Sequence, residues 1–117
     1  MRKAEINSLN IPEYHKRLLE DYVKKAREGK RLQNFKIVLF GSCAREKTTP
    51  HSDVDLCIVA DFEEAERDDL EFFFKHEVIR HSPDDILLFT NAEMERNKDN
   101  LVSVIRYIWK DGVVIHE

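Results

Sequence analysis

Glycine, proline and cysteine are scarce: the 117-residue chain holds three, three and two of them. There is no Gly/Ser-rich stretch, low-complexity segment or internal repeat, so nothing marks a linker. The length fits one domain over residues 1–117, and two independent cores would not fit. Cys43 and Cys57 are too few for a disulfide framework and stand outside CxxC or zinc spacing, so they read as small apolar fillers. Apolar runs are short, Ile37–Phe40 being typical, and no segment is long enough to span a bilayer. The opening MRKAEINSLN has no apolar stretch after its basic residues, so no signal peptide is read and a cytoplasmic protein is expected. An excess of positive charge is lacking too. Nineteen Lys and Arg against 23 Asp and Glu give a net charge of -4, which argues against a dedicated nucleic-acid-coating role.

What is present is a 42% hydrophobic fraction, enough for a packed core. Asn10 with Glu13, and Pro12 in the first turn, predict a helix start. Tyr14, Leu18, Leu19, Tyr22, Val23 and Ala26 follow at helical spacing, and Gly29 is a natural stop. Lys24, Lys25, Arg27, Lys30 and Arg31 crowd that helix end; a solvated face is the plainer reading and a phosphate-facing one the alternative. Phe35–Phe40 predicts a buried strand, Ser42–Ser52 a polar loop, and Val54–Val59 a second strand. Asp61 and Glu64 offer a cap for one helix reaching His81, where Pro83 prevents continuation. Ile86–Phe89 is a third strand. Asn91 is placed to cap a short helix, and Leu101, Val104, Ile105, Ile108 and Trp109 mark a last helix stopped at Gly112, with Val113–Ile115 as a short edge strand. This order predicts an α/β (α+β) fold with a mixed β-sheet flanked by helices, because the loop after Phe40 holds no crossover helix.

One stretch carries chemistry. Gly41 ends a buried strand, and without a Cβ it lets backbone amides approach an anion. Ser42 adds a hydroxyl donor, and the pair suits a phosphate. Ten residues later comes Asp53-Val54-Asp55. Residues i and i+2 of a strand share a face, so both carboxylates converge beside the Gly-Ser turn. Asp55 sits within an apolar strand and needs a compensating cation, for which Mg²⁺ is suited. Asp84-Asp85 stands at the mouth of another strand, and one of the two completes a three-carboxylate set able to hold two metals about 3.5–4 Å apart. Asp85, directly before the apolar run, is preferred; Asp84 stays the alternative. Solvent-facing turn aspartates are the competing reading for each.

Gly41-Ser42, the ten-residue spacer, Asp53-x-Asp55 and the later aspartate resemble the minimal nucleotidyltransferases of the polymerase-β superfamily. The resemblance covers nearly the whole chain, and GSCAREKTTPHSDVDLCIV is its specific part. It implies a polymerase-β-like nucleotidyltransferase fold and Mg²⁺-dependent transfer of a nucleotide monophosphate, with ATP the favoured substrate. By the same resemblance Gly41 and Ser42 hold the triphosphate, and Asp53 and Asp55 are shared metal ligands in a two-metal site. Asp85 then binds the catalytic metal and acts as, or orients, the base. Arg45 matches the arginine of the family's GSxAR and suits bidentate phosphate contact. Ser52 also fits, although its hydroxyl serves a turn equally well.

Two positions depart from that pattern. The family commonly has a glycine after the arginine and a second arginine four residues on; here they are Glu46 and Thr49, with Lys47 as a nearby substitute charge. Members of this size resemble the antitoxin of HEPN–MNT toxin–antitoxin pairs, which adenylylates a tyrosine of its HEPN-domain partner. Larger relatives carry an added helical domain for which this chain has no room. The reading is therefore an enzyme that moves AMP to a protein hydroxyl, compatible with homo- or hetero-oligomers and with no membrane role. A catalytically weak or inactive antitoxin that neutralises its partner by direct binding is the alternative. A small-molecule transferase and a polymerase rank below both. Phe72, Phe73 and Phe74 cannot all face one core, so they are read as core plus edge or as an interface.

Overall fold

The computed structural model describes residues 1–79 and 84–117. Five strands form one mixed sheet in the order β1-β5-β2-β3-β4. They are β1 (Arg2–Lys3), β2 (Phe35–Phe40), β3 (Asp55–Ala60), β4 (Asp85–Thr90) and β5 (Val113–His116). β2 is antiparallel to β3 and to β5, while β3–β4 and β1–β5 are parallel. The mixed sheet expected from the missing crossover helix is present.

Both faces are covered, which is why the strands read as unbroken apolar runs rather than alternating ones. Ile37, Leu39, Leu56, Ile58, Ile86 and Leu88 meet Leu19, Tyr22 and Ala26 of α1 (Glu13–Glu28). They also meet Leu70 and Phe73 of α3 (Arg67–Phe73). The intervening residues Val38, Cys57, Val59 and Val114 turn to the other face. There they pack on Met94 of α4 (Asn91–Asn97) and on Ile105 and Ile108 of α5 (Val104–Asp111). Each fully buried leucine, such as Leu19, Leu39 or Leu56, contributes roughly 1.5–3 kcal/mol. Both cysteines are buried, as their reading as fillers expects.

Several local expectations are corrected. α1 is preceded by Pro12 rather than capped by Asn10, whose backbone N–H instead donates to Glu46 Oε2 at 2.7 Å. Gly29 ends α1 in the right-handed region, and Lys30 takes the left-handed turn at φ 52°. The glycine serves packing: a Cβ there would sit 2.1 Å from Cζ of Phe73. The loop after β2 opens with a one-turn helix, α2 (Gly41–Ala44). The segment after β3 starts later than expected, with Glu63 and Glu66 rather than Asp61 and Glu64 as the reciprocal cap. It then widens into a π turn over Phe74–Val78. Its predicted end at His81 and the Pro83 stop lie outside the described residues. Phe73 and Phe74 are core, while Phe72 is exposed and packs its ring on His76.

Thr90, not Asn91, caps α4, with Glu93 completing the box. Ser103 caps α5, which leaves Leu101 and Val102 exposed ahead of it. β5 is not an edge strand, since the two-residue β1 pairs along its far side. Arg67 ties the layers together by ion pairs to Glu64 and Glu93 and by donation to the Leu88 carbonyl. Among the described residues no helix is long and apolar enough to cross a membrane.

Candidate active site

The end of β2 and the beginnings of β3 and β4 lie at one end of the sheet. Register places Asp55 opposite Phe40 across the antiparallel pair and beside Asp85 across the parallel one. Two of the predicted carboxylates are therefore direct cross-strand neighbours. Asp53 lies two residues ahead of β3 and is exposed, as Asp85 is; Asp55 is half-buried between them. Asp53 precedes the strand proper, so the i, i+2 argument does not by itself set its direction.

Gly41 takes φ 74°, a conformation L side chains rarely adopt. An added Cβ would lie 2.6 Å from Asp55 Oδ2. The turn after β2 thus sits directly on the Asp55 carboxylate, and Ser42 follows it in the first turn of α2. Cys43, in the same turn, donates its thiol to the Asp53 carbonyl at 3.5 Å. The short helix therefore fixes the segment that carries the carboxylates.

Asp84 and Asp85 divide their roles. Asp84 Oδ1 accepts the Val54 backbone N–H at 2.8 Å, and its Oδ2 accepts the Tyr22 hydroxyl at 2.6 Å. Its carboxylate is thus spent holding the residue between Asp53 and Asp55 against α1. Asp85 donates its backbone N–H to the Val54 carbonyl at 3.0 Å, and its Oδ1 accepts the Ile86 N–H at 2.8 Å. Tyr22, which helical periodicity alone presents as core, and His15 of the same helix both reach this end of the sheet. His15 is buried and bonds the Ser52 carbonyl through Nε2 at 2.8 Å, directly ahead of Asp53. The signal for Tyr22 was its hydroxyl, since a buried phenol needs a polar partner.

The acidic end carries uncompensated charge. Burial pushes the Asp55 carboxyl above its ordinary range, and Asp53, Asp85 and Asp84 push it further; Arg45 alone opposes. Burial raises the Cys43 thiol to about 11, with Asp55, Asp84 and Asp53 adding to the effect. Burial also raises the Tyr22 phenol, reinforced by its bond to Asp84. Hard carboxylate oxygens with excess negative charge match a divalent cation such as Mg²⁺ in donor type. Among the described residues no three His, Cys, Asp or Glu side chains are already arranged about a common metal position.

Arg45 is exposed at the end of α2 and lines a shallow cleft with Glu46 and Lys110. Its neighbour Glu46 has φ 56°, the left-handed region for which glycine is the default. The position where the related pattern has glycine thus keeps a glycine-like backbone. Glu46 meets that conformation by accepting from Asn10 N–H and from Arg2 Nη2. Thr49, where an arginine was expected, closes a turn with Ser52: Thr49 N–H donates to Ser52 Oγ at 2.9 Å and Ser52 N–H to the Thr49 carbonyl at 3.0 Å.

No curated protein matches the chain. A nucleotidyltransferase domain family matches residues 16–115, from the second turn of α1 to the third residue of β5. That span contains the glycine turn, the carboxylates at the starts of β3 and β4, and the sheet that aligns them, and by it the chain belongs to the nucleotidyltransferase domain family.

Proposed function

We propose that the chain transfers AMP from ATP, with Mg²⁺, to an acceptor hydroxyl, and that the acceptor is a tyrosine of a HEPN-type partner in a toxin–antitoxin pair. The observation that carries the transfer chemistry is the Asp55–Asp85 register beside Gly41, with Asp53 adding its charge. A surface meant only for docking has no physical use for carboxylates crowded so that one of them, Asp55, is pushed above its ordinary range. The partner rests on the sequence resemblance.

In this reading Asp53, Asp55 and Asp85 would hold the metal, whose chemistry there would be activation of the acceptor hydroxyl and charge neutralisation at the leaving pyrophosphate. Backbone amides at Gly41 and the Ser42 hydroxyl cradle the triphosphate. The Arg45 guanidinium reaches from the end of α2 to a phosphate oxygen. Asp85 keeps Oδ1 on the Ile86 amide, and Oδ2 is the oxygen offered to the acceptor's proton. Asp84, Tyr22 and His15 orient this set without touching substrate.

The test uses the full chain, Mg²⁺ and labelled ATP, with and without a purified HEPN-domain protein as the acceptor. Mass spectrometry should find a metal-dependent AMP adduct on a partner tyrosine, absent with the Asp53→Asn, Asp55→Asn double variant. A tight complex without adduct would overturn the transfer reading in favour of inhibition by binding.

A further inference from the structure

A cleft of about 740 Å³ opens at the sheet end opposite the carboxylates. The tail of α1, the start of β2 and the end of β5 form it. Six-residue strands separate it from Asp55 by roughly 16 Å at 3.3 Å per residue. Arg27, Lys30 and Lys36 line it. Two of the five cations crowded at the end of α1, both exposed, thus border one open cleft.

Three features set this cleft apart from an ordinary basic surface. Among the described residues neither Arg27, Lys30 nor Lys36 makes an ion pair. Glu117, the one acid in the lining, is held by Lys3 at 2.8 Å. Three cations thus face one carboxylate, which Lys3 holds and Lys36 also attracts, so the lining keeps an excess of positive charge in a chain of net charge -4. Lys30 reaches the cleft from a left-handed backbone at φ 52°, a conformation unusual for lysine. Finally, one wall is aromatic: the Phe35 and His116 rings lie 5.1 Å apart. Burial, and then the Arg27 charge, hold the His116 imidazole below its ordinary pKa, so it faces the cleft neutral at pH 7. Asn34 adds a neutral donor and acceptor.

We infer that this cleft is a second ligand site, for a phosphorylated small molecule of nucleotide size. Its anion lies among Arg27, Lys30 and Lys36 and its flat portion against the Phe35–His116 wall. The volume falls within the ordinary range for small-molecule sites, roughly 300–1,000 Å³. The site lies away from the glycine turn, and its occupancy does not depend on the transfer reaction.

The test is an amide NMR titration of the full chain with AMP in the presence of EDTA, which keeps metal-dependent binding at the carboxylate end out of the readout. Saturable shifts should appear at Asn34, Phe35, Lys36 and His116. Adenosine should give none there, because it lacks the anion. The Arg27→Gln, Lys36→Gln double variant alters exposed side chains, so its melting temperature should hold while AMP affinity at these amides falls roughly tenfold or more. Shifts confined to Gly41–Arg45, an unchanged affinity in the variant, or equal response to sulfate would each overturn the inference.

Discussion

Asp55 Oδ2 occupies the space beside Gly41 so closely that a Cβ on the glycine would lie 2.6 Å from it. The turn after β2 and the carboxylate at the start of β3 are one steric unit. Substitution at either residue should be felt at the other.

Gly41→Ala faces both the contact and the backbone, since φ 74° is costly for alanine. A loss of roughly 2–4 kcal/mol is expected from the two effects. Asp55→Ala should relieve the steric part. A double-mutant cycle by denaturant unfolding should therefore show Gly41→Ala and Asp55→Ala to be non-additive, with the double variant less destabilised than the sum. Strict additivity would contradict the contact.

Asp55→Asn should raise stability at neutral pH. The folded state raises the Asp55 pKa, through burial first and then Asp53, Asp85 and Asp84. Folding therefore favours the protonated form. The Asp55 contribution is most favourable below the ordinary carboxylate pKa and is lost as pH rises through the raised value. The variant should melt a few degrees higher than the parent near pH 7 without metal, and the gain should vanish in acid. A melting temperature unchanged across that range would contradict the charge crowding.

Asp84 and Asp85 should separate by phenotype. Asp84→Ala removes the acceptor of both Val54 N–H and the Tyr22 hydroxyl, and should cost roughly 2–4 kcal/mol. Tyr22→Phe should cost part of the same energy, about 1.5–3 kcal/mol. Asp85→Ala alters an exposed side chain, so its melting temperature should stay near the parent's while transfer is lost. Calorimetry beside an AMP-transfer assay checks all three. An Asp84→Ala protein of parental stability would put the positioning role in error.

The two thiols should resist modification. Cys43 is buried with its thiol raised to about 11, and burial raises Cys57 as well. Little thiolate exists at pH 8. Ellman's reagent should therefore react with both only at the rate of unfolding. Rapid reaction of one thiol in native protein would contradict the packing of α2.

The core strands were legible because they are buried on both faces, so Phe35–Phe40 and Ile86–Phe89 stand out as short apolar runs. Gly41, Asp53, Asp55 and the aspartate pair were legible by type and spacing. α2 was not, because one turn over Gly-Ser-Cys-Ala carries no periodicity. Nor was β1, two charged residues whose only strand signal is their pairing with Val113 and Val114. The choice between Asp84 and Asp85 depends on Tyr22, 62 positions away along the chain, whose hydroxyl the helical pattern shows only as an apolar face. Glu46 looked like a departure because residue type was visible and φ was not.

The central claim is that Asp53, Asp55 and Asp85 jointly hold a divalent cation for nucleotidyl transfer. Titration with Mn²⁺ in the presence of ATP, followed by electron paramagnetic resonance, tests it most directly. The parent protein should sequester Mn²⁺ beyond what free ATP binds, and the Asp53→Asn, Asp55→Asn double variant should lose that excess while keeping its fold. Equal Mn²⁺ uptake by parent and variant would contradict the account.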